Sequence, residues 1–313
     1  MNEPVAARGA RARTVGTVLA VDAVTAEVTR AFRLAQVQAI LLRGAALAGW
    51  LYGEDGGRGY RDVDLLVPPS QTRAAEQILE RLGFLHRQAG FGAGESAEHS
   101  GEWLRSRPAV VVDLHRTLTG AAAGPGAVWE ALAEGREQIE VAGAAVDVPA
   151  IHARVLVVTL HAAQHGIAGE RQLRDLGLAL ERAPSETWIA AARLAQWLEA
   201  GAAFGAGLRL LREGTALAAS LGISLSTDTE TSLRAASASA TSIGFARWAG
   251  TPGAGGKLAI IERKLFPTAA FMRHWSRLAR RGRLGLGLAY LWRPFWLLLR
   301  LLPSVLAWRR ARG

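Results

Sequence analysis

Three aspartates lie within short apolar segments, where an ionised carboxylate requires a partner. Asp62 and Asp64 begin the run Asp62-Val63-Asp64-Leu65-Leu66-Val67, and Asp113 follows Val110-Val111-Val112. Alternate residues of a strand point to the same face, so Asp62 and Asp64 would lie about 6.5–7 Å apart along one face. A buried charge is costly unless it is paired or bound to a metal. Because Mg²⁺ and Mn²⁺ prefer such oxygen ligands, the three side chains predict a divalent-cation site suited to phosphoryl transfer.

The residues around these aspartates predict the elements that would hold them. Apolar residues recur at three- and four-residue steps over 15–38, which predicts a helix that packs on a sheet. A short strand, a glycine turn at Arg43-Gly44 and a helix are expected over 39–52, followed by a glycine-rich loop. Further strands are predicted at 62–67, 84–85, 109–115 and 139–148, and a helix is predicted from Ser70 to Leu82.

The order of these segments resembles the DNA-polymerase-β-like nucleotidyltransferase superfamily, and within it the bacterial group of uncharacterised nucleotidyltransferases. The resemblance covers about residues 35–180 and rests on four runs: Leu41-Leu42-Arg43-Gly44-Ala45-Ala46 with Tyr52, Arg61-Asp62-Val63-Asp64-Leu65-Leu66-Val67, Val112-Asp113-Leu114-His115, and more loosely Leu160-His161 through His165 with Asp175-Leu176. It implies an α+β fold, with a mixed sheet and flanking helices followed by a mostly helical C-terminal half. It also implies Mg²⁺-dependent transfer of a nucleoside monophosphate from an NTP, with ATP the expected donor, to an acceptor hydroxyl or phosphate.

The resemblance also implies roles for individual residues. Asp62 and Asp64 would bind both metal ions, Asp113 would bind the catalytic ion, and Gly44 would let the backbone approach the triphosphate. Many members carry Ser after this glycine, whereas Ala45 stands here. The expected nucleotide-binding set is therefore Arg43, Gly44, Ala45, Arg58 and Arg61. Arg43, assisted by Arg58 or Arg61, is expected to make the γ-phosphate contact for which no serine hydroxyl is available.

Histidines near the resembling segments have more than one interpretation. His161 and His165 stand four residues apart, on one helical face, and could join Asp175 in lining an acceptor site between the sheet and the helical half. They could equally be histidines whose partners lie in the core, and the spacing alone also permits a metal site. His115 is expected to face the opposite side of its strand from Asp113 and to be structural.

Charge and composition divide the chain. Residues 262–313 contain 12 Lys or Arg and one Asp or Glu, whereas residues 1–261 contain 25 and 26 and are nearly neutral. The sequence changes to a helical pattern near Pro149, so three parts are predicted: a catalytic domain (15–149), a helical domain (150–256) and a basic tail rich in Trp, Leu and Arg (257–313). The chain has no cysteine and no signal-peptide pattern, which favours the cytoplasm.

The tail is apolar between residues 284 and 308, but Arg293, Pro294, Arg300 and Pro303 disfavour a membrane-spanning helix. Two alternatives remain open. The segment could lie on an anionic membrane surface as a peripheral contact, or it could be a helix pair docked on the body with its arginines outward. Nucleic acid is a disfavoured partner because the basic residues alternate with Leu and Trp instead of lining a polar groove.

Two other functions are compatible with the pattern. The domain could be an inactive nucleotide-binding or partner-binding module, which Ala45 supports. A metal-dependent glycosyltransferase also uses an Asp-x-Asp pair, but only 61 residues precede Asp62 and Asp113 would have no task. The acceptor of a nucleotidyltransferase, whether a small molecule, a peptide or a protein, is not indicated by any motif.

Overall fold

The structure is a computed structural model that describes residues 5–53, 57–87, 100–223 and 229–311. Its strands are β1 (Ile40–Leu41), β2 (Asp62–Leu66), β3 (Leu85–Arg87), β4 (Ser100–Ser106), β5 (Ala109–His115), β6 (Glu137–Val141) and β7 (Ala144–Val148). Its helices are α1 (Val5–Leu34), α2 (Ala45–Tyr52), α3 (Thr72–Arg81), α4 (Pro125–Ala133), α5 (Ile151–His165), α6 (Glu170–Arg182), α7 (Ser185–Trp197), α8 (Gly201–Leu208), α9 (Arg212–Ser220), α10 (Thr229–Ala235), α11 (Ala240–Gly250), α12 (Ala254–Leu265), α13 (Ala269–Trp275) and α14 (Gly282–Arg310).

Five strands form a mixed sheet in the order β1-β2-β5-β4-β3, and β6 and β7 form a separate hairpin. The central pair, β2 and β5, is parallel, whereas β1, β4 and β3 join by antiparallel pairing. Parallel pairing requires a long crossover, which here includes α3, β3 and β4. The predicted fold is confirmed: a mixed sheet with flanking helices precedes a mostly helical remainder.

The hydrophobic core explains why β2 and β5 lie at the centre of the sheet. Val63 and Val112 are fully buried and pack in one cluster with Val28 and Phe32 of α1. The predicted helical periodicity of α1 is therefore confirmed, although the helix begins at Val5 and ends at Leu34. Burial of these side chains holds one face of the sheet against α1, so charged residues can gather only on the other face.

The chain forms two compact units. Of the described residues, the first unit comprises 5–53, 57–87, 100–158 and 175–200, and the second comprises 159–174, 201–223 and 229–311. The chain thus passes between the units several times, and α5 and α6 each contribute to both. The division into 15–149, 150–256 and 257–313 stays a prediction.

Some elements differ from the sequence-based expectations. β4 is not among the strands predicted from the sequence. Its pairing with β5 supplies the hydrogen bonds that its own composition does not favour. The described part of residues 224–256 contains α10 and α11, which agrees with the helical pattern expected for residues 150–256.

The basic tail also differs from the expected helix pair. Residues Gly282–Arg310 form one helix that continues through Pro294 and Pro303, and its exposed side chains include many leucines. The helix pair, one of the two alternatives for this segment, is therefore not what the structure has, and leucines as well as arginines are exposed on α14. Within the described residues, every helix falls short of the length or the hydrophobicity required to cross a bilayer.

Candidate active site

The parallel register of β2 and β5 brings two carboxylates together. Asp64 lies directly opposite Asp113, and Asp62 lies opposite Val111. Residues in register on neighbouring strands share a face of the sheet, so all three aspartates lie on the face opposite to the buried valines. One ligand atom each from Asp64, Asp113 and His115 lies within 4.8 Å of the others. The structure thus brings two of the three predicted metal ligands into one cluster, with a histidine as its third member.

Asp64 is the buried centre of this cluster, with 2% of its side chain exposed. Its Oδ1 accepts hydrogen bonds from Arg43 Nη2 and from His115 Nε2, the latter at 3.0 Å. Burial alone would raise the pKa of Asp64, but the Arg43 charge and His115 together hold that pKa well below its usual range. Asp64 is therefore ionised at neutral pH, and Arg43 compensates its charge.

His115 does not have the position expected from the sequence. Residues 113 and 115 are two apart on β5, and alternate residues of a strand point to the same side. The burial of β5 follows this rule, since Val110, Val112 and Leu114 are buried while Asp113 and His115 are half-buried on the other face. The expectation that His115 faces away from Asp113 is wrong, because it miscounted this period of two.

Asp113 is the electrostatically strained member of the cluster. Its Oδ1 is buried and accepts no hydrogen bond from the residues that the structure describes. Burial, and then the negative charges of Asp64, Asp62 and Glu102, raise the pKa of Asp113 to about 7, although His115 acts in the opposite direction. A cation beside Asp113, in addition to Arg43, would give Oδ1 a partner and would offset the repulsion between the carboxylates.

Asp62 lies at the start of β2 and is half-buried. It is outside the 4.8 Å cluster, but it is close enough for its charge to raise the pKa values of Asp113 and Arg43. Asp62 therefore contributes to the negative potential of the site from its rim. A carboxylate in this position is well placed to enter the coordination of a cation that approaches from solvent.

The predicted nucleotide-binding turn connects β1 to α2. The Leu42 N–H donates to the Asp64 carbonyl oxygen at 2.9 Å, which continues the β1-β2 pairing and carries Arg43 next to Asp64. Gly44 follows with a φ of 63°, a region in which an L side chain is strained. Ala45 then begins α2. The glycine thus lets the chain turn sharply into a helix whose N-terminus lies beside the acidic cluster, and helix N-termini attract anions.

Arg58 and Asp175 form a buried ion pair within the first unit. The Arg58 Nη2 and Nε atoms donate to Asp175 Oδ2 at 2.9 and 3.1 Å, and the Tyr52 hydroxyl donates to Oδ1 at 2.7 Å. Both charged side chains are almost completely buried. The pair joins the segment after α2 to α6, while Arg61 is exposed at the start of the next strand. Arg58 as a nucleotide ligand and Asp175 as an acceptor-side residue stay predictions.

His161 and His165 lie together in the second unit. Their rings meet edge to face with centroids 4.6 Å apart, and the Gln172 Nε2 lies 3.3 Å from the Nε2 of His161. His161 is buried. The predicted pairing on one helical face is thus present in α5, and a role on the acceptor side stays a prediction.

Two contributors to the site were not identified from the sequence. The strand period of two places His115 on the same face as Asp113, so the sequence itself contains the signal for this residue. Glu102 lies opposite Asp113 in the β4-β5 register, and its charge acts on that carboxyl. No sequence signal indicated Glu102, because the pairing of β4 with β5 is a long-range contact.

A family model described as uncharacterised nucleotidyltransferase matches residues 6–215, more than half of the chain. The chain therefore belongs to this nucleotidyltransferase family. No sequence among the curated proteins matches the chain significantly.

The chain is distantly similar to several solved structures. The solution structure of the antibiotic-resistance factor ANT(2'')-Ia has a TM-score of 0.41 and 16% identity, covering 58% of this chain and 92% of that chain. The crystal structure of ANT(2'')-Ia with adenylyl-2''-tobramycin has a TM-score of 0.40 and 16% identity, covering 54% and 93%. An antigenic nucleotidyltransferase-like protein from Paracoccidioides brasiliensis has a TM-score of 0.35 and 14% identity, covering 59% and 91%. Similarities this distant carry no information on the substrate of this chain.

Replacing Asp175 with Ala is expected to lower the free energy of unfolding by about 3–5 kcal/mol, because it leaves the buried Arg58 charge without its carboxylate. Asp147→Ala is the matched control, since Asp147 pairs with a partly exposed Arg136 at 3.2 Å and its loss should cost about 1 kcal/mol or less. Urea denaturation measures both. Equal losses in the two variants would show that the buried Arg58–Asp175 pair stabilises the fold no more than the partly exposed Arg136–Asp147 pair does.

Asp113→Asn is expected to stabilise the protein in the presence of a chelator. A carboxyl with a raised folded-state pKa binds more protons in the folded state, so its contribution to stability is lost as the pH rises from about 4 to about 7. Asn cannot ionise and therefore avoids this loss. A pKa shift of this size corresponds to a stability loss on the order of 4 kcal/mol. The measurement is denaturation of both proteins at about pH 5 and about pH 8. The gain should reach its full size at about pH 8 and fall to roughly a third of that at about pH 5, which lies partway between the unfolded and folded pKa values. An equal gain at both would contradict the assignment.

Proposed function

We propose that this chain is a Mg²⁺- or Mn²⁺-dependent enzyme of the DNA-polymerase-β-like superfamily that transfers a nucleoside monophosphate from an NTP to an acceptor hydroxyl or phosphate and releases pyrophosphate. The observation behind the proposal is that Asp64 and Asp113 lie opposite each other on β2 and β5. The buried Oδ1 of Asp113 accepts no hydrogen bond from the described residues. Crowding of acidic groups on one face is costly unless a cation completes it. Membership of the nucleotidyltransferase family agrees with this chemistry.

The residues present fit a divalent cation. Asp62, Asp64 and Asp113 supply the carboxylate oxygens that Mg²⁺ and Mn²⁺ prefer. Burial and the neighbouring carboxylates raise the pKa of Asp113, and a bound cation would offset both effects. A bound ion would neutralise the polyphosphate and the leaving pyrophosphate. His115 donates to Asp64 and so orients that carboxylate, in the manner of the hydrogen-bonding partners that tune metal ligands.

Arg43 has a second task in this proposal. In the structure its guanidinium compensates the buried charge of Asp64. A divalent cation on Asp64 would repel the guanidinium, which would then be available to the triphosphate of the NTP. The turn at Gly44 and Ala45, with the N-terminus of α2, would provide backbone donors for the same phosphates. Arg43 thereby takes the phosphate contact that a serine at position 45 would make, and Arg61, exposed nearby in sequence, would assist.

Arg58 and the predicted acceptor-side residues have a weaker link to the reaction. The Arg58 guanidinium is directed at Asp175, so we propose that this pair mainly positions the segment after α2 and only indirectly affects nucleotide binding. His161 and His165 remain our proposed acceptor-side residues. ATP is the proposed donor and the cytoplasm the proposed compartment, which the lack of cysteine favours. The glycosyltransferase alternative has no support from the family to which the chain belongs.

The function is tested by transfer of label from α-phosphate-labelled ATP, with Mg²⁺ or Mn²⁺, to a panel of hydroxyl-bearing small molecules, peptides and proteins. Asp62→Asn, Asp64→Asn and Asp113→Asn should each lower the rate by roughly 100-fold or more, because each removes a cation ligand. Asp147→Asn, in the β6-β7 hairpin, is the control and should retain activity. Circular dichroism of every variant separates loss of function from loss of fold.

Calorimetry provides the second part of this test. The wild-type chain should bind ATP more tightly with Mg²⁺ than with a chelator, and Asp64→Asn should lose this difference. Binding of ATP and metal without transfer to any acceptor would indicate a nucleotide-binding module instead of an enzyme. Transfer that persists in the Asp62, Asp64 and Asp113 variants would show that these residues do not have the proposed roles.

A further inference from the structure

The outer side of α14 carries a continuous apolar stripe. Its large side chains are between 45% and 87% exposed and recur at steps of three and four residues, which places them on one helical face: Leu284, Leu288, Leu291, Phe295, Leu298, Leu302 and Leu306. We name these seven residues the leucine face. At 1.5 Å per residue, the face extends for about 33 Å. Soluble proteins rarely expose so large a contiguous apolar surface unless it binds a partner or a membrane.

The opposite side of α14 fixes the leucine face in its outward orientation. Arg293 is buried, donates from Nε to the Lys264 carbonyl oxygen at 2.6 Å, and lies over the Phe271 ring at 4.6 Å. Gly285 is also buried, and a Cβ there would lie 2.2 Å from the Leu278 carbonyl oxygen. The helix therefore cannot rotate to bury its leucines without losing these contacts.

The charge around the leucine face is of one sign. Residues 263–313 contain 12 Lys or Arg and no Asp or Glu. Arginines before, within and after the helix are exposed: Arg277, Arg280, Arg281, Arg283, Arg300, Arg309 and Arg310. Half-exposed Trp292 adjoins the leucine face, and tryptophan favours the boundary between apolar and aqueous phases. The complement of this surface is a partner that is apolar inside and negatively charged at its edge.

We propose that the leucine face docks α14 onto the surface of a bilayer rich in anionic phospholipid, with the helix lying in the plane of the interface. The leucines would enter the boundary between headgroups and acyl chains, and the flanking arginines would pair with lipid phosphates. A second copy of this chain is a poorer occupant, because it would bring two strongly basic surfaces together. Nucleic acid could accept the arginines but would leave the leucines in water. The proposal concerns a surface distinct from the acidic cluster and does not depend on the proposed transfer reaction.

The test is flotation of the full-length chain with vesicles of phosphatidylcholine alone or mixed with phosphatidylglycerol. We expect binding to the anionic vesicles that weakens with salt, and much weaker binding to the neutral ones. Leu291→Glu combined with Leu298→Glu should lower the partition coefficient roughly tenfold or more, because it places two charges in the apolar stripe. The matched control is Leu34→Glu combined with Leu85→Glu, since these leucines are 88% and 76% exposed and lie outside α14.

A further variant separates charge from hydrophobicity. Replacing Arg280, Arg281 and Arg283 with Ser should weaken binding to anionic vesicles and reduce its salt dependence. Failure of the wild-type chain to bind anionic vesicles, or an equal loss in the control variant, would overturn the proposal. Sedimentation velocity covers the competing occupant: a dimer that the Leu291/Leu298 variant converts to a monomer, with no vesicle binding by the wild type, would assign the face to self-association.

Discussion

The parallel pairing of β2 with β5 is the constraint on which the candidate site depends. Packing of alternate valines and leucines against α1 fixes which face of these strands is buried, and the register then sets Asp64 beside Asp113. Two carboxylates in such proximity repel each other, and partial burial removes much of the water that would screen them. The core therefore holds an arrangement that is unfavourable by itself, which is typical of sites where function is retained at the expense of stability.

The negative charges of Asp64 and Asp113 are not compensated equally. Asp64 has Arg43 and His115 and is held ionised, whereas Asp113 lacks a hydrogen bond at Oδ1 from any described residue and has a raised pKa. The difference follows from the connection of the elements, because the turn after β1 delivers Arg43 to β2 and not to β5. A divalent cation would be attracted to such a site for the same reason that a proton is, and the two would then compete for Asp113.

The second unit has the opposite electrostatic character. Its terminal helix is anchored by buried Arg293 and the tight packing of Gly285, and it presents leucines outward among exposed arginines. The basic excess of the whole chain thus resides in the segment that carries the leucine face, while the acidic cluster belongs to the first unit.

The sequence by itself determined the features that depend on local periodicity and short-range chain geometry. The alternation of Asp62, Val63 and Asp64, the turn at Gly44 and the β-branched run before Asp113 were sufficient to predict β2, β5 and the helix after the turn, and the family resemblance that rests on these runs implied the fold class. They also indicated which aspartates would share a face of the sheet, because strand period requires no knowledge of partners.

Only the tertiary structure decided which side chains meet across the chain. Glu102 acts on Asp113 through the β4-β5 register, Asp175 binds Arg58 from 117 residues away, and Arg43 closes on Asp64. The outward orientation of the leucine face was also a tertiary result, since an apolar helical stripe in a sequence normally predicts a buried side. Contacts of this kind depend on how elements pack, and packing is set by the burial of the whole core rather than by any neighbouring residue.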